Sequence, residues 1–212
     1  MEYRCKYYLV DIDGTITDYR PGALAPEKLV GGNFLFPIFR DLMVERGWDK
    51  LEAEARIIQL TRDVVYWDYT DFMVEFDLPV AETYQRLRAW HRENLFVYER
   101  TVELLRHLHQ GGRKLFVMSN NPYVGCLLKL EAAGLADTFS APCFTRVFGT
   151  NLLRGCKNDP EVWKRALAQI PAPRDEIGTI GDNPLDDGEL PRSLGVGETV
   201  IIPRDSLAPG AF

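Results

Sequence analysis

Apolar residues recur along the chain in two rhythms, and the change between them divides the sequence. Residues 4–12 carry a short apolar run, Tyr7-Tyr8-Leu9-Val10, that stops on Asp11 and predicts a buried β-strand. From about 25 to 97 the spacing turns helical. Phe34 to Val44, Leu51 to Leu60, Val64 to Phe76 and Val80 to Phe96 each predict an amphipathic helix, with Pro26, Gly31-Gly32, Gly47 and Asp77-Leu78-Pro79 as breaks. No strand is predicted in this stretch. After Tyr98, short strands and helices alternate. Val102 to His109 predicts a helix closed by Gly111-Gly112, and Lys114 to Met118 a buried strand ending at Ser119-Asn120-Asn121. Pro122 to Ala133 predicts a helix closed by Gly134. Asp159 to Ile170 predicts another, with Asp159 as N-cap and Pro160 at the first helical position. Glu176 to Ile180 is a third strand, ending on Gly181-Asp182, and Val200 to Ile202 a fourth. Such alternation predicts parallel βαβ units with right-handed crossovers. The tail after Arg204 is rich in Pro, Gly and Ala and is expected to be loosely ordered.

Composition narrows the class. The chain has 212 residues, 46% hydrophobic and 11% aromatic, which suits a core domain carrying a smaller insertion. A net charge of -6 argues against non-specific binding to nucleic acid, although a metal ion can reverse the local field for a small anionic substrate. The N-terminus runs straight into the first strand with no apolar leader, and no long uncharged stretch could span a bilayer, so a cytoplasmic protein without membrane attachment is expected. Cys5, Cys126, Cys143 and Cys156 show no Cys-x-x-Cys pairing, and His107 and His109 point apart on their helix. Reduced thiols and no zinc site are expected, with Cys5 and Cys126 acting as small hydrophobes.

Candidate chemistry sits where the strands end: Asp11 and Asp13, then Ser119 and Asn120, then Asp182 with Asp186 and Asp187. Asp11 and Asp13 share a side if the extended geometry persists, and two like charges at a buried strand end need a cation or reacting group to compensate them. In open parallel sheets, ligands sit outside the carboxyl ends of the strands, so parallel neighbours would bring the three clusters into one crevice. Asp11, Asp182 and a backbone carbonyl near Asp13 offer the hard oxygen ligands that Mg²⁺ prefers, and the ion would hold a phosphate oxygen. One carboxylate would attack phosphorus while the second moves protons, with Ser119, backbone N–H groups and a lysine balancing charge on the phosphoryl oxygens.

The wording of these clusters resembles a known family. Asp11-x-Asp13-Gly14-Thr15-Ile16 is similar to the first motif of the haloacid dehalogenase-like (HAD) superfamily, Ser119-Asn120 to the second, Lys157 to the third and Gly181-Asp182-Asn183-Pro184-Leu185-Asp186-Asp187 to the fourth. The four occur in order and span residues 4 to about 202. The resemblance implies an α/β fold, a Rossmann-like parallel sheet core (residues 1–17 and 98–212) with an inserted α-helical cap (18–97) that would close over the crevice and contact the leaving group. It implies Asp11 as nucleophile, Asp13 as general acid/base, and Ser119 and Lys157 as phosphoryl-binding and charge-balancing residues. Thr15 and Asn120 join them in binding substrate. Mg²⁺ would be held by Asp11, Asp13 and Asp182, with Asp187 holding its water shell; Asp186 could fill that last role, but an acid five residues after Asp182 favours Asp187. Asp13 favours phosphoryl chemistry over dehalogenation, because an alkyl halide needs no leaving-group proton.

Two departures from the family pattern stand out. Asn158-Asp159-Pro160 follows Lys157 in place of the common Lys-Pro-x-Pro, and the segment from Ser140 to Cys156 is long. Lys129 is expected at the surface of its helix, and Lys164 is the residue most easily mistaken for Lys157. In the insertion, Arg40, Arg56, Arg62, Arg86, Arg88 and Arg92 with Tyr66, Trp67 and Tyr69 are the specificity candidates, against a background in which arginines solvate helix faces and aromatics fill cores. The expectation is a Mg²⁺-dependent phosphatase, monomeric or homodimeric, acting on a small phosphate ester: a sugar phosphate, phosphoglycolate or a nucleoside monophosphate. A phosphomutase and a non-catalytic binding protein on the same scaffold are the alternatives.

Overall fold

The computed structural model describes residues 3–25, 29–137 and 140–203. The expectations for Pro26 and for the tail after Arg204 lie outside the described residues. Five strands form one all-parallel sheet in the order β5-β4-β1-β6-β7: β1 (Tyr7–Val10), β4 (Lys114–Met118), β5 (Arg146–Phe148), β6 (Ile177–Gly181) and β7 (Glu198–Ile201). The sheet is flanked by helices, giving the Rossmann-like α/β fold. β1 lies between β4 and β6, with Tyr7 to Val10 in register with Lys114 to Val117 on one side and Ile177 to Ile180 on the other. The chain builds outward from β1 to β4 and β5, then returns to the far side of β1 for β6 and β7. That reversal falls at the carboxyl end of β1, the position at which ligands bind in sheets of this kind.

Alternation along the central strands explains why both sheet faces are apolar. Tyr8, Val10, Leu115 and Val117 pack with Val102, Leu105 and Leu108 of α5 (Glu99–Gln110) and Cys126, Leu127 and Leu130 of α6 (Tyr123–Ala132). Leu9, Phe116 and Met118 turn to the opposite face, against Val162, Trp163, Ala166 and Leu167 of α8 (Pro160–Leu167). Asp159 caps α8, its carboxylate accepting from the Glu161 N–H at 2.8 Å. Cys5 and Cys126 are buried in the first cluster, and all four cysteines are free thiols.

The chain divides into two compact units, Met1–Asp18 with Val97–Phe212, and Tyr19–Phe96. The second holds α1 (Phe36–Glu45), α2 (Lys50–Asp63), α3 (Tyr69–Glu75) and α4 (Val80–Asn94). Phe36, Phe39, Trp67, Tyr69 and Phe72 form its aromatic core. Trp67 and Tyr69, considered for specificity, both pack in this core, Tyr69 buried and Trp67 half-buried. Arg40, Arg56 and Arg86 make ion pairs with acids of the same unit: Glu54, Glu75 and Glu45. The helix expected from Val64 begins only at Tyr69, because Asp68 forms a capping box with Asp71 there.

Four of the short elements went unforeseen. β2 (Thr17–Tyr19) pairs with β3 (Leu95–Val97), the latter within the stretch expected to lack strands, and β5 and α7 (Thr150–Leu153) occupy the long segment before Cys156. Each strand has three residues, too few for an alternation to register, and exists because a partner strand supplies its hydrogen bonds. Among the described residues, no helix is long and apolar enough to cross a membrane.

Candidate active site

The main-chain pairing of β1 continues one residue past the strand, with the Asp11 N–H donating to the Ile180 carbonyl at 2.9 Å. The chain then folds back tightly. The N–H groups of Thr15, Ile16 and Thr17 converge on the Ile12 carbonyl, and Gly14 donates to the Thr17 carbonyl. Gly14 has φ of 76°, a conformation a side chain would strain. Thr15 is fully buried and its hydroxyl lacks a hydrogen-bond partner. With no exposed surface it offers a substrate nothing to touch, and its place in the motif is to build the turn.

Asp11 and Asp13 do not share one partner; each is matched to its own lysine. Lys157 Nζ lies 2.5 Å from Asp11 Oδ1 and 2.8 Å from Asp187 Oδ1, all three side chains being buried. Lys157 is itself held by its backbone: its N–H donates to Asn120 Oδ1 at 2.7 Å, and its carbonyl accepts from Trp163 Nε1 at 2.9 Å. Asn120 is exposed, and its amide oxygen is committed to this strut. Asp13 instead meets Lys129 Nζ at 2.5 Å through Oδ1 and Asn121 Nδ2 at 2.5 Å through Oδ2. Ser119, buried at the end of β4, accepts from the same Asn121 amide at 2.7 Å.

After β6 the chain makes a π-helical turn over Pro184–Glu189, opened by Asn183, whose side chain accepts from the Leu185 and Asp186 N–H groups. This turn puts Asp187 inward, where its carbonyl accepts from Thr179 Oγ1 at 2.6 Å. Asp186 sits half-buried beside Asn183. Asp11, Asp182 and Asp187 form a group in which one carboxylate oxygen from each lies within 4.8 Å of the others. The Asp13 side chain is not in that group; it faces Lys129.

Electrostatics follow from this pairing. Burial pushes the Asp11 carboxyl well above its ordinary value; Lys157 offsets part of the shift and the Asp187 charge adds to it. Asp187 is raised for the same reason, first by burial. Burial alone would lower Lys157, but Asp11 and Asp187 together outweigh it and raise the ammonium's value. Asp13 moves the other way. Burial would raise it, but the Lys129 charge and the hydrogen bonds from Lys129 and Asn121 hold it below the usual carboxylate range.

The packing of Asp187 rests on Gly181, since a Cβ there would fall 2.2 Å from Asp187 Cγ. We expect Gly181→Ala to displace that carboxylate and lower stability by about 1–3 kcal/mol, measured by urea unfolding. An unchanged midpoint would mean that Asp187 is not fixed by this contact.

Lys129 was expected at the surface, yet it is 2% exposed on a helix buried all along Val124 to Leu130. The signal was present in the sequence: one charge amid Cys126-Leu127-Leu128-Lys129-Leu130 on an all-round apolar helix implies a buried, paired ammonium. Asn121, the other residue missed, had none beyond its place after Ser119-Asn120.

Comparison with known proteins agrees with this architecture. Residues 5–190 match the family described as haloacid dehalogenase-like hydrolase. Over 101 residues the chain is 32% identical to pyrophosphatase PpaX of Listeria welshimeri, a match covering 47% of this chain and 44% of that protein. The chain thus spans less than half the length of the curated relatives it matches. A HAD phosphatase from Thermococcus onnurineus shares the fold with TM-score 0.54 and 25% identity, over 91% of this chain and 84% of that one. The HAD-hydrolase YfnB of Bacillus subtilis, solved with magnesium, gives TM-score 0.51 at 18% identity, over 92% and 88% of the two chains. With the four motif segments gathered at the carboxyl end of one parallel sheet and the family match running over residues 5–190, this chain belongs to the haloacid dehalogenase-like hydrolase family.

Proposed function

We propose that the enzyme is a magnesium-dependent phosphatase that hydrolyses a small-molecule phosphomonoester through an aspartyl-phosphate on Asp11. The observation that carries this reading is the buried Lys157 ammonium bridging Asp11 and Asp187, with Asp182 close by. With all four carboxyls ionised, Asp11, Asp13, Asp182 and Asp187 set against the Lys129 and Lys157 ammonium groups leave a net charge of -2, which suits a divalent cation that would also favour their ionised forms. Oxygens sharing one Mg²⁺ at 2.0–2.1 Å lie at most about 4 Å apart, so a group within 4.8 Å needs only slight closure. Asp11, Asp182 and Asp187 would hold the ion, with the Asp13 carbonyl. When bound, it would neutralise the carboxylates and grip a phosphoryl oxygen.

The chain's own residues divide the remaining work. An Asp11 oxygen bonds to phosphorus as the bond from phosphorus to the leaving oxygen breaks. Asp13, which Lys129 holds ionised, must first take up a proton from solvent or from the substrate monoanion; it passes that proton to the leaving oxygen and then takes one from the water that cleaves the aspartyl-phosphate. The Ser119 hydroxyl and Lys157 donate to phosphoryl oxygens as charge builds on them. An acid at position 13 favours this chemistry over dehalogenation. Substrate choice falls to the helical segment, residues 18–97.

The test is phosphate release from a panel of sugar phosphates, phosphoglycolate, nucleoside monophosphates and inorganic pyrophosphate, with Mg²⁺ and with chelator. Pyrophosphate is included because the Listeria relatives are named for it. We expect Mg²⁺-dependent release from at least one compound. Isomer formation without free phosphate would make the protein a mutase, and no turnover anywhere would favour a binding protein.

A further inference from the structure

Lys129 has no part in the reaction as set out above, yet a fully buried ammonium is retained at high cost in desolvation. Its surroundings give it a task. A lysine ammonium only donates, so Asn121, 2.9 Å away, must turn its Oδ1 toward Lys129. That choice fixes the amide's orientation, which at Asn121 would otherwise be open to a flip. The Nδ2 group is then forced to face the other way, donating to Asp13 Oδ2 at 2.5 Å and to Ser119 Oγ at 2.7 Å. The Asn121 backbone N–H adds a second hydrogen bond to Ser119 Oγ at 3.3 Å. A hydroxyl has two lone pairs and one hydrogen. With both lone pairs of Ser119 engaged by Asn121, its hydrogen is left to donate outward.

We propose that Lys129 is a positioning residue: acting through Asn121, it sets the direction of a hydrogen-bond relay that orients the Asp13 carboxylate and leaves the Ser119 hydroxyl as a donor to the phosphoryl group. The inference rests on the phosphatase reading for the tasks of Asp13 and Ser119, and on the geometry alone for the relay. Reverse Asn121, and its oxygen would confront Asp13 while Ser119 lost a donor. The Lys129 ammonium and the Asp13 carboxylate both oppose that arrangement, and a neutral side chain at 129 would leave Asp13 alone to resist it.

The test is a double-mutant cycle with Lys129→Met, Asn121→Ala and the pair, assayed on p-nitrophenyl phosphate with saturating Mg²⁺ and corrected for folded fraction by circular dichroism. Each single variant should lose about thirtyfold or more in kcat/KM, and the double variant no more than about threefold beyond the worse single. Independent, multiplying losses would overturn the relay, as would a loss fully explained by folded fraction. The split between kcat and KM separates positioning from bulk structure. In Lys129→Met the loss should fall on kcat with KM changed by no more than about threefold, and a loss confined to KM counts against the proposal. If Lys129→Met does not fold, Asn121→Asp serves instead, since it keeps the shape but removes both side-chain N–H donors, and wild-type activity in that variant refutes the relay. Wild-type protein without turnover on any phosphate ester would end the phosphatase reading. The relay is then judged on melting temperature, where Lys129→Met and Asn121→Ala should be less than additive, and additivity would overturn it.

Discussion

Asp11→Asn is expected to reduce phosphate release by at least about 10⁴-fold while leaving the protein folded, because the amide cannot form the bond to phosphorus. The stability side of this result is as informative as the rate. Asn is nearly isosteric with Asp, and the change removes one of two carboxylates that share Lys157. Lys157 keeps Asp187 at 2.8 Å, and the repulsion between Asp11 and Asp187 disappears. The melting temperature should hold or rise by a few degrees. A variant that lost activity and also melted well below wild type would show that Asp11 supports the fold, and the activity loss would then say little about its chemistry. Steady-state assays together with thermal melts decide between these outcomes.

Lys157→Met should damage rate and stability together. Losing a donor to the phosphoryl oxygens costs about 10²–10³ in kcat. Removing one partner from a buried charge cluster costs about 3–5 kcal/mol, because Asp11 and Asp187 are left without compensation. At the size of this chain that corresponds to roughly 10 °C in melting temperature. The pH dependence fixes the cause. In the variant both carboxyls are raised further above their unfolded values, so the folded state binds protons more tightly than the unfolded state. Stability then falls as pH rises through the interval between unfolded and folded values, and recovers toward acid. Melts between pH 5 and pH 8 should therefore show the deficit widening with pH. A deficit independent of pH would attribute the loss to packing around the lysine stem.

Much of the sheet-bearing unit was legible in the sequence, for identifiable reasons. Tyr7 to Val10, Lys114 to Met118 and Ile177 to Gly181 are buried on both faces, and such strands appear as continuous apolar runs ending abruptly on polar residues. Asp159 announced the start of α8 by the chemistry of its cap. The three-residue strands β2, β3 and β5 carried no such signal, since pairing partners far along the chain create them. The site divides in the same way. Asp11, Ser119, Lys157 and Asp187 occupy positions where motif spacing marks them. Thr15 belongs to the same motif but is spent on the turn, a fact visible only from its burial. Lys129 belongs to none, and helical spacing alone placed it at the surface. Its contact with Asp13 spans 116 positions of sequence, and only the close packing of α6 on the sheet brings the two together.

The pair that opens the first motif, Asp11 and Asp13, is thus two separately compensated charges, one held by Lys157 and the other by Lys129. The proposed reaction requires that Asp11 become phosphorylated during turnover. Acid-quenching the enzyme while it hydrolyses p-nitrophenyl phosphate, followed by borohydride reduction and peptide mass spectrometry, tests it most directly. Residue 11 should be converted to homoserine in wild type, dependent on substrate, and no conversion should occur in Asp11→Asn. Continuing turnover with Asp11 unmodified, or with the phosphoryl group trapped on another side chain, would contradict it.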